Sequence, residues 1–284
     1  MRRPFASVLI MLLFFTVAAN PGITIERGME QFEIDWINME LEVKGIGNIT
    51  PSEYGNYLDW QYDAALRAEE EVLKNFISSM DSLRIDAFHT ARDVLMREPE
   101  KNALVYSYIK RHWKRVVEYT DLSVRLKTEL PLFGDDGFAI NITDAGLDPG
   151  RYPQYSEYEY STSFTGLVID ARGLGRIPAL APSIYDEEHR TIYSIDLIHS
   201  DSFARWGAVQ YTDDPYYRGL ENRVGPRPYR IVALENDKLI ETDIAISNTD
   251  AIIFLQSDAS KQSLSQGRLI VILDKEVLQA SSHR

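Results

Sequence analysis

Two side chains of opposite charge stand two residues apart in the stretch FTGLVIDARGLGRIPALAP, which begins at Phe164. Asp170 could act as a general acid or base, and Arg172 could stabilise negative charge that develops on a substrate. Residues two apart on an extended chain point to the same side, so these groups can also bond to each other. We favour the second interpretation and expect Asp170 and Arg172 to form a clasp that fixes a turn.

The glycines that follow, Gly173 and Gly175, could begin a dinucleotide-binding loop. Such a loop requires a third glycine and a helix whose first amides contact the pyrophosphate. Here the third glycine is missing, and Pro178 and Pro182 discourage a helix. The glycines are therefore expected to permit a turn and the prolines to fix its exit. No cofactor is predicted.

Other patterns in the sequence do not match known catalytic or metal-binding spacings. The five histidines contain no H-E-x-x-H pair, no G-x-S-x-G elbow occurs, and Asp135-Asp136-Gly137 lacks the alternating ligands of a calcium loop. The chain has no cysteine, which excludes disulfides, a thiolate nucleophile and a lipid anchor on cysteine. We predict no catalytic residue and no metal site from these patterns.

The excess of acidic over basic residues limits the kinds of partner that the protein is expected to bind. Acidic residues number 43 against 30 lysines and arginines, for a formal net charge of -13. Binding to nucleic acid depends on basic groups that contact phosphates, so nucleic acid is not an expected partner.

The N-terminus is typical of an exported protein. Arg2 and Arg3 precede an apolar run from Phe5 to Val17, and small residues follow as far as Ala19. The run is shorter than the roughly 18 to 20 residues that span a bilayer. We predict a signal peptide over residues 1–19 that is cleaved near Ala19, a periplasmic location, and no transmembrane segment in the mature chain.

Residues 20–32 are predicted as an N-terminal extension, and residues 33–133 as a module of strand, helices and strand. The first strand alternates from Ile37 to Val43 and is expected to end at Gly45 and Gly47. A long helix follows, with an apolar stripe at every fourth residue from Trp60 to Met80 that Ala65, Leu73 and Ile77 are expected to widen. Two more helices are predicted, the last running through Val105 and Val117, before a second alternating strand over Leu122–Leu130.

The second half of the chain is predicted to form another module. Residues 134–163 are rich in Gly, Pro and Tyr and are predicted as a linker, in which Tyr155 and Tyr158 could dock on a neighbouring surface. Residues 164–275 form the C-terminal module, where the apolar run Leu269–Leu273 predicts a central strand covered on both faces. Residues 276–284 are predicted as a tail. The fold class is α+β, with a small N-terminal sheet covered by helices and a mixed α/β C-terminal module.

The stretch from Phe164 to Gly175, the Pro178-Ala179-Leu180-x-Pro182 motif and the acid pair Asp186-Glu187 resemble the signature of exported bacterial proteins related to FlgP and FlgT. The likeness extends over roughly residues 33–275. It implies a non-enzymatic protein that builds disks or rings around the flagellar motor and supports motility. Relatives of FlgP are often lipoproteins, whereas this chain lacks the cysteine that a lipid anchor needs, so the resemblance favours an unanchored periplasmic component.

The leading hypothesis is therefore a periplasmic structural or assembly protein of the flagellum, multimeric and bound to other flagellar or envelope proteins. Candidate structural and contact residues are Asp170, Arg172, Gly173, Gly175, Pro178, Pro182, Tyr155 and Tyr158. Two alternatives stay open: a periplasmic protein that binds a small ligand or an envelope polymer, and a hydrolase that uses the Asp170 region.

Overall fold

The computed structural model describes residues 31–112, 115–135, 137–143, 152–153, 155, 162–216, 219–236 and 238–281. The predicted signal peptide and Tyr158 lie outside the described residues. The strands are β1 (Phe32–Asp35), β2 (Glu40–Asn48), β3 (Arg115–Tyr119), β4 (Ser123–Pro131), β5 (Leu167–Asp170), β6 (Ile184–Tyr185), β7 (Thr191–Tyr193), β8 (Gln210–Thr212), β9 (Tyr229–Val232), β10 (Ile244–Ala245), β11 (Leu269–Ile272) and β12 (Gln279–Ser281). The helices are α1 (Tyr57–Ser79), α2 (Ala91–Arg97), α3 (Pro99–His112), α4 (Ser200–Trp206), α5 (Leu220–Val224), α6 (Asn248–Leu255) and α7 (Asp258–Ser265).

The fold is α+β, as predicted. An antiparallel sheet in the order β12-β1-β2-β4-β3 carries α1 on one face, and a parallel sheet in the order β8-β11-β5-β9 forms the centre of the C-terminal region. A small third sheet has the order β10-β6-β7. Strand β11 is central and buried along its whole length, as its apolar sequence predicts. Within the described ranges, no helix is long and apolar enough to cross a bilayer.

The first sheet differs from the prediction at its glycines. Strand β2 does not end at Gly45 and Gly47 but continues through them to Asn48, paired with β4 throughout. The reason is the close approach of α1: a Cβ at Gly47 would lie 2.6 Å from the carbonyl carbon of Ala64. One at Gly45 would lie 2.7 Å from the backbone nitrogen of Val72. The glycines therefore mark where a helix crosses the strand, not where the strand stops.

The third predicted helix is too long. Helix α3 ends at His112, and Val116 and Val117 belong to β3, which pairs with β4. Both valines are spaced as a continuation of the helical stripe, so the sequence pattern alone does not reveal the change. Pairing with the preformed edge of β4 and the β-branched side chains favour a strand at this point.

The two modules share one core. Buried residues of the first sheet and of the C-terminal sheets form a continuous cluster that includes Trp36 and Tyr211, whose rings meet edge to face at 6.1 Å. Part of the segment predicted as a linker joins it, since Phe138 and Ile142 are buried. The end of the chain also returns to the first sheet: β12 pairs with β1, and Leu278 is fully buried.

We expect Gly47→Ala to lower the free energy of unfolding by about 3 kcal/mol, because the new methyl group would overlap the backbone of α1 and force the helix off the sheet. Urea denaturation followed by circular dichroism measures the loss. Gly134→Ala is the control, since its Cβ would meet no atom within 4 Å and only its positive φ of 99° opposes the change. A loss at Gly47 no larger than at Gly134 would contradict the close packing.

Candidate functional site

The stretch with the predicted clasp lies at one edge of the parallel sheet. Strands β5, β8, β9 and β11 run in the same direction, so their carboxyl ends meet at a single edge. Asp170 closes β5 and pairs with Ile272, the last residue of β11, and Asp274 follows two residues later. In open α/β sheets ligands bind outside this edge, which makes it the first place to examine for a functional site.

The Asp170–Arg172 clasp is formed. Arg172 donates from Nε to Asp170 Oδ1 at 2.9 Å and from Nη2 to Oδ2 at 2.5 Å. The hydrogen bonds from Arg172 lower the pKa of Asp170 below its usual range. A carboxylate held in this way stays ionised near neutral pH and is a poor general acid. The pair therefore acts as a structural clasp. Its geometry gives no support to the alternative that Asp170 is the catalytic group of a hydrolase.

The turn after the clasp depends on its glycines. Gly173 and Gly175 have φ angles of 77° and 63°, a left-handed conformation that other residues adopt at a cost. The amide of Gly173 donates to Asp274 Oδ2 at 2.9 Å, so this amide is already hydrogen-bonded within the protein. Arg176 is buried and donates to the carbonyls of Asn236 and Ile240. The turn is thus fastened to two other loops.

The proline-flanked segment is a bridge between the two halves of the molecule. Pro178 and Pro182 are buried. Between them, the amides of Leu180 and Ala181 donate to the carbonyls of Arg84 and Ile85, at 3.0 and 2.8 Å. The hydroxyl of Tyr211 completes the bridge, because it lies 3.0 Å from the amide and 2.9 Å from the carbonyl of Ala179.

Asp186 is a second anchor, whose role the sequence did not reveal. Its buried carboxylate accepts hydrogen bonds from Arg190 Nε at 2.6 Å, from the amides of Glu188 and Arg190, and from the hydroxyl of Tyr155 at 3.0 Å. The guanidinium of Arg190 also lies 4.6 Å from the centre of the Tyr155 ring. Burial raises the pKa of Tyr155. This tyrosine, predicted as a contact surface, is therefore docked within its own chain.

Tyr152 is fixed in a similar way. Its hydroxyl donates to the carbonyl of Lys261 at 3.0 Å, and burial raises its pKa. Tyr152 and Tyr155 are thus both hydrogen-bonded to residues of the C-terminal region. A tyrosine-rich composition suggested docking, but only the fold shows that the docking surface is intramolecular.

Arg223 is a buried cation that sequence reasoning also missed. The residue is 4% exposed and donates to the carbonyls of Trp206 and Gly207, at 2.5 and 2.8 Å. Burial lowers the pKa of its guanidinium to about 10, which leaves it charged at neutral pH. The sequence around it, LENRVG, resembles an ordinary exposed helix end and offers no signal of this burial.

An apolar groove runs between the three helices of the N-terminal region. Its volume is about 640 Å³. Large apolar side chains on its walls reach solvent: Ile77 of α1 is 56% exposed, Met96 of α2 74% and Tyr106 of α3 55%. The lining is completed by Leu73, Phe76, Met80, Arg92, Leu95, Pro99, Asn102, Val105 and Ile109.

The groove continues into an exposed stripe on α1. It consists of Leu58, Tyr62, Leu66, Leu73 and Ile77, which are all exposed. Their spacing of four, four, seven and four residues places them within about 100° of the helix circumference. The prediction that Leu73 and Ile77 widen the packed stripe is therefore wrong, because the sheet covers only the side of the helix with Ala64, Ala68 and Val72. The opposite side of α1, with Ala64, Ala68 and Val72, is the side that packs on the sheet. Helix α1 is thus apolar on its packed face and on part of its free face.

The described part of the chain contains no group of three or more His, Asp or Glu residues that could hold a metal ion. Part of the chain is similar to a known protein family. Residues 166–275 match the family model described as Treponema pallidum Tp0624, second domain. No curated protein matches the chain. The matched residues begin just before β5 and end after β11, so they contain the clasp, the proline-flanked bridge, Asp186 and Arg223.

We expect the contribution of the clasp to stability to depend on pH. The folded-state pKa of Asp170 is lowered, so the clasp stabilises the protein above the unfolded-state pKa of about 4, and the effect is lost as the pH falls through the folded-state value. The difference in unfolding free energy between wild type and Asp170→Asn should therefore shrink between pH 6 and pH 3. Urea titrations at each pH measure it, and a difference that stays constant over this range would contradict the clasp.

We expect Asp186→Ala to lower the free energy of unfolding by about 3 kcal/mol, because it removes the acceptor of Arg190 Nε, of two amides and of the Tyr155 hydroxyl. Asp258→Ala is the matched control, since the Asp258 side chain is 99% exposed and its partner within the described residues is Lys261. The control should change stability by less than about 1 kcal/mol. Equal losses in the two variants, measured by urea denaturation, would show that Asp186 is not an anchor.

Proposed function

We propose that this protein is a non-enzymatic structural or assembly protein of the bacterial envelope, associated with the flagellum, that acts by binding other proteins. The observation that carries the proposal is the open apolar groove between α1, α2 and α3. A groove of this kind fits the apolar face of an amphipathic helix from a partner protein.

The energetics of the groove favour occupation. Solvent-exposed apolar surface that is contiguous is uncommon on proteins that act alone, and it marks interaction sites. Ile77 of α1 and Met96 of α2 both line the groove, so a helix that lies along it can contact both. Full burial of such a side chain contributes at most about 1.5 to 3 kcal/mol, so coverage of several of them favours binding and offsets part of the cost of association.

The polar residues of the signature support a structural role over a catalytic one. The side chain of Asp170 is held by Arg172, and that of Asp186 by Arg190 and Tyr155. These are the groups that a hydrolase would need free for its substrate. Instead, their bonds fasten loops and strands to each other.

The location and the flagellar association rest on the sequence. The predicted signal peptide favours export to the periplasm, and the resemblance of residues 164–187 to proteins related to FlgP and FlgT favours a place at the flagellar motor. Exported proteins that brace a motor act through surfaces, and the groove supplies one.

The proposal is tested by placing a charge in the groove. We expect Ile77→Asp to reduce recovery of the partner from cross-linked envelopes by tenfold or more, since a buried aspartate would cost more than about 1.4 kcal/mol of binding free energy. A deletion strain that carries this variant should lose motility in soft agar. Leu122→Asp is the control: Leu122 is 51% exposed at the turn before β4, outside the groove, and should leave both readouts unchanged.

Three results would overturn parts of the proposal. Normal motility of the deletion strain would contradict the flagellar role. Equal recovery of partners with Ile77→Asp and wild type would show that the groove is not the binding site. If analytical ultracentrifugation shows a wild-type oligomer that Ile77→Asp dissociates, the occupant is a second copy of this chain rather than a different protein.

A further inference from the structure

A cleft lies where the two halves of the molecule meet, on a different surface from the apolar groove. Its volume is about 440 Å³, within the range of small-molecule sites. One wall is the turn between β1 and β2, with Asn38 and Met39. The other is formed by the end of α4 and by α5, with Arg205, Trp206 and Arg223. Sites between packed modules are common ligand-binding positions because both halves contribute groups.

Arg223 lines this cleft as a buried and incompletely bonded cation. Its two terminal nitrogens donate to the carbonyls of Trp206 and Gly207, and its guanidinium lies 5.0 Å from the centre of the Trp206 ring. Its Nε has no hydrogen-bond partner among the residues that the structure describes. A buried guanidinium has five donor hydrogens, so the site leaves part of its bonding capacity unused.

The charge of Arg223 is also not balanced. No carboxylate among the described residues forms an ion pair with Arg223, Arg205 or Arg268. The positive charge of Arg268 lies near enough to add to the effect of burial in lowering the pKa of Arg223. The carbonyls at the end of α4 supply about half a negative charge at most. A buried cation is normally paired with an anion, and none of the described carboxylates pairs with Arg223.

The other groups of the cleft define what kind of anion fits. Arg205 is exposed at the rim, with its guanidinium 5.5 Å from the centre of the Trp206 ring, where it can reach a bound ligand. Asn38, Gln210 and Asn222 provide amides, and Met39 and Phe133 provide apolar surface. Glu40 is exposed and is the single carboxylate of the lining. The set suits a small molecule that carries one oxyanion and a neutral polar body.

We propose that this cleft binds a small oxyanionic ligand, whose carboxylate or phosphate is held by the guanidinium groups of Arg223 and Arg205. A guanidinium presents paired donors at the spacing of two oxygens of a carboxylate or a phosphate. Arg223 supplies the buried end of the site, and Arg205 closes over the ligand from the rim. This activity goes beyond the binding of proteins at the helical groove and does not depend on it.

The test uses the full mature chain and three probes in isothermal titration calorimetry and thermal denaturation. Glucuronate presents a carboxylate on a polar ring, glucose presents the same ring without charge, and inorganic phosphate presents the alternative anion. We expect glucuronate or phosphate to bind and to raise the melting temperature, while glucose has no effect. A preference between the two anions identifies whether a carboxylate or a phosphate is recognised.

Variants locate the binding in the cleft. Arg205→Ala removes an exposed side chain, so the protein should fold normally and bind the preferred anion at least tenfold more weakly. Lys238→Ala removes the same charge from an exposed residue outside the cleft and should leave affinity unchanged. Arg223→Gln, if it folds, should abolish binding.

The proposal is overturned if neither anion binds at millimolar concentration, or if glucose binds as well as glucuronate. It is also overturned if Arg205→Ala and Lys238→Ala weaken binding equally, because the effect would then reflect net charge alone. Loss of motility or of partners in groove variants has no bearing on these outcomes.

Discussion

The architecture depends on how one buried, extended segment satisfies its backbone. Residues 178–182 run through the interior, where no water can bond to their amides and carbonyls, and an unpaired group would cost about 1 to 3 kcal/mol. The carbonyls of Arg84 and Ile85 and the hydroxyl of Tyr211 supply the partners. Because these partners come from both halves of the chain, the bonds hold the helical region and the parallel sheet to one core.

The remaining features of the C-terminal region follow from this segment. Its entry is fixed by the clasp of Asp170 and Arg172 and by the left-handed turn at Gly173 and Gly175. Its exit leads into β6 and then to Asp186. The carboxylate of Asp186 accepts hydrogen bonds from Arg190 in the following turn and from the hydroxyl of Tyr155. The polar groups that first suggested chemistry thus serve to place an uncharged segment. The groups that are free to act on other molecules lie elsewhere, in the helical groove and around Arg223.

Periodicity predicted the elements whose environment is uniform. The stripe of Ala64, Ala68, Val72 and Phe76 predicted α1 and its buried face, because every fourth residue of a helix returns to the same side. The run Leu269–Leu273 predicted a central strand, since only a strand covered on both faces is apolar throughout. The clasp of Asp170 and Arg172 was predictable because the two residues that form it are close in sequence.

What the sequence determined by itself was local: the α+β class, the alternating strands, the buried stripe of α1, and a glycine turn with an acid and a base that pair. What only the tertiary structure decided was long-range. Gly45 and Gly47 lie within a strand because a helix crosses there, Val116 and Val117 form a strand because β4 offers an edge, and Arg223 is buried because distant turns close over it. In each case the interactions that decide the structure are made with residues distant in sequence. The pattern of the neighbouring residues therefore does not predict them.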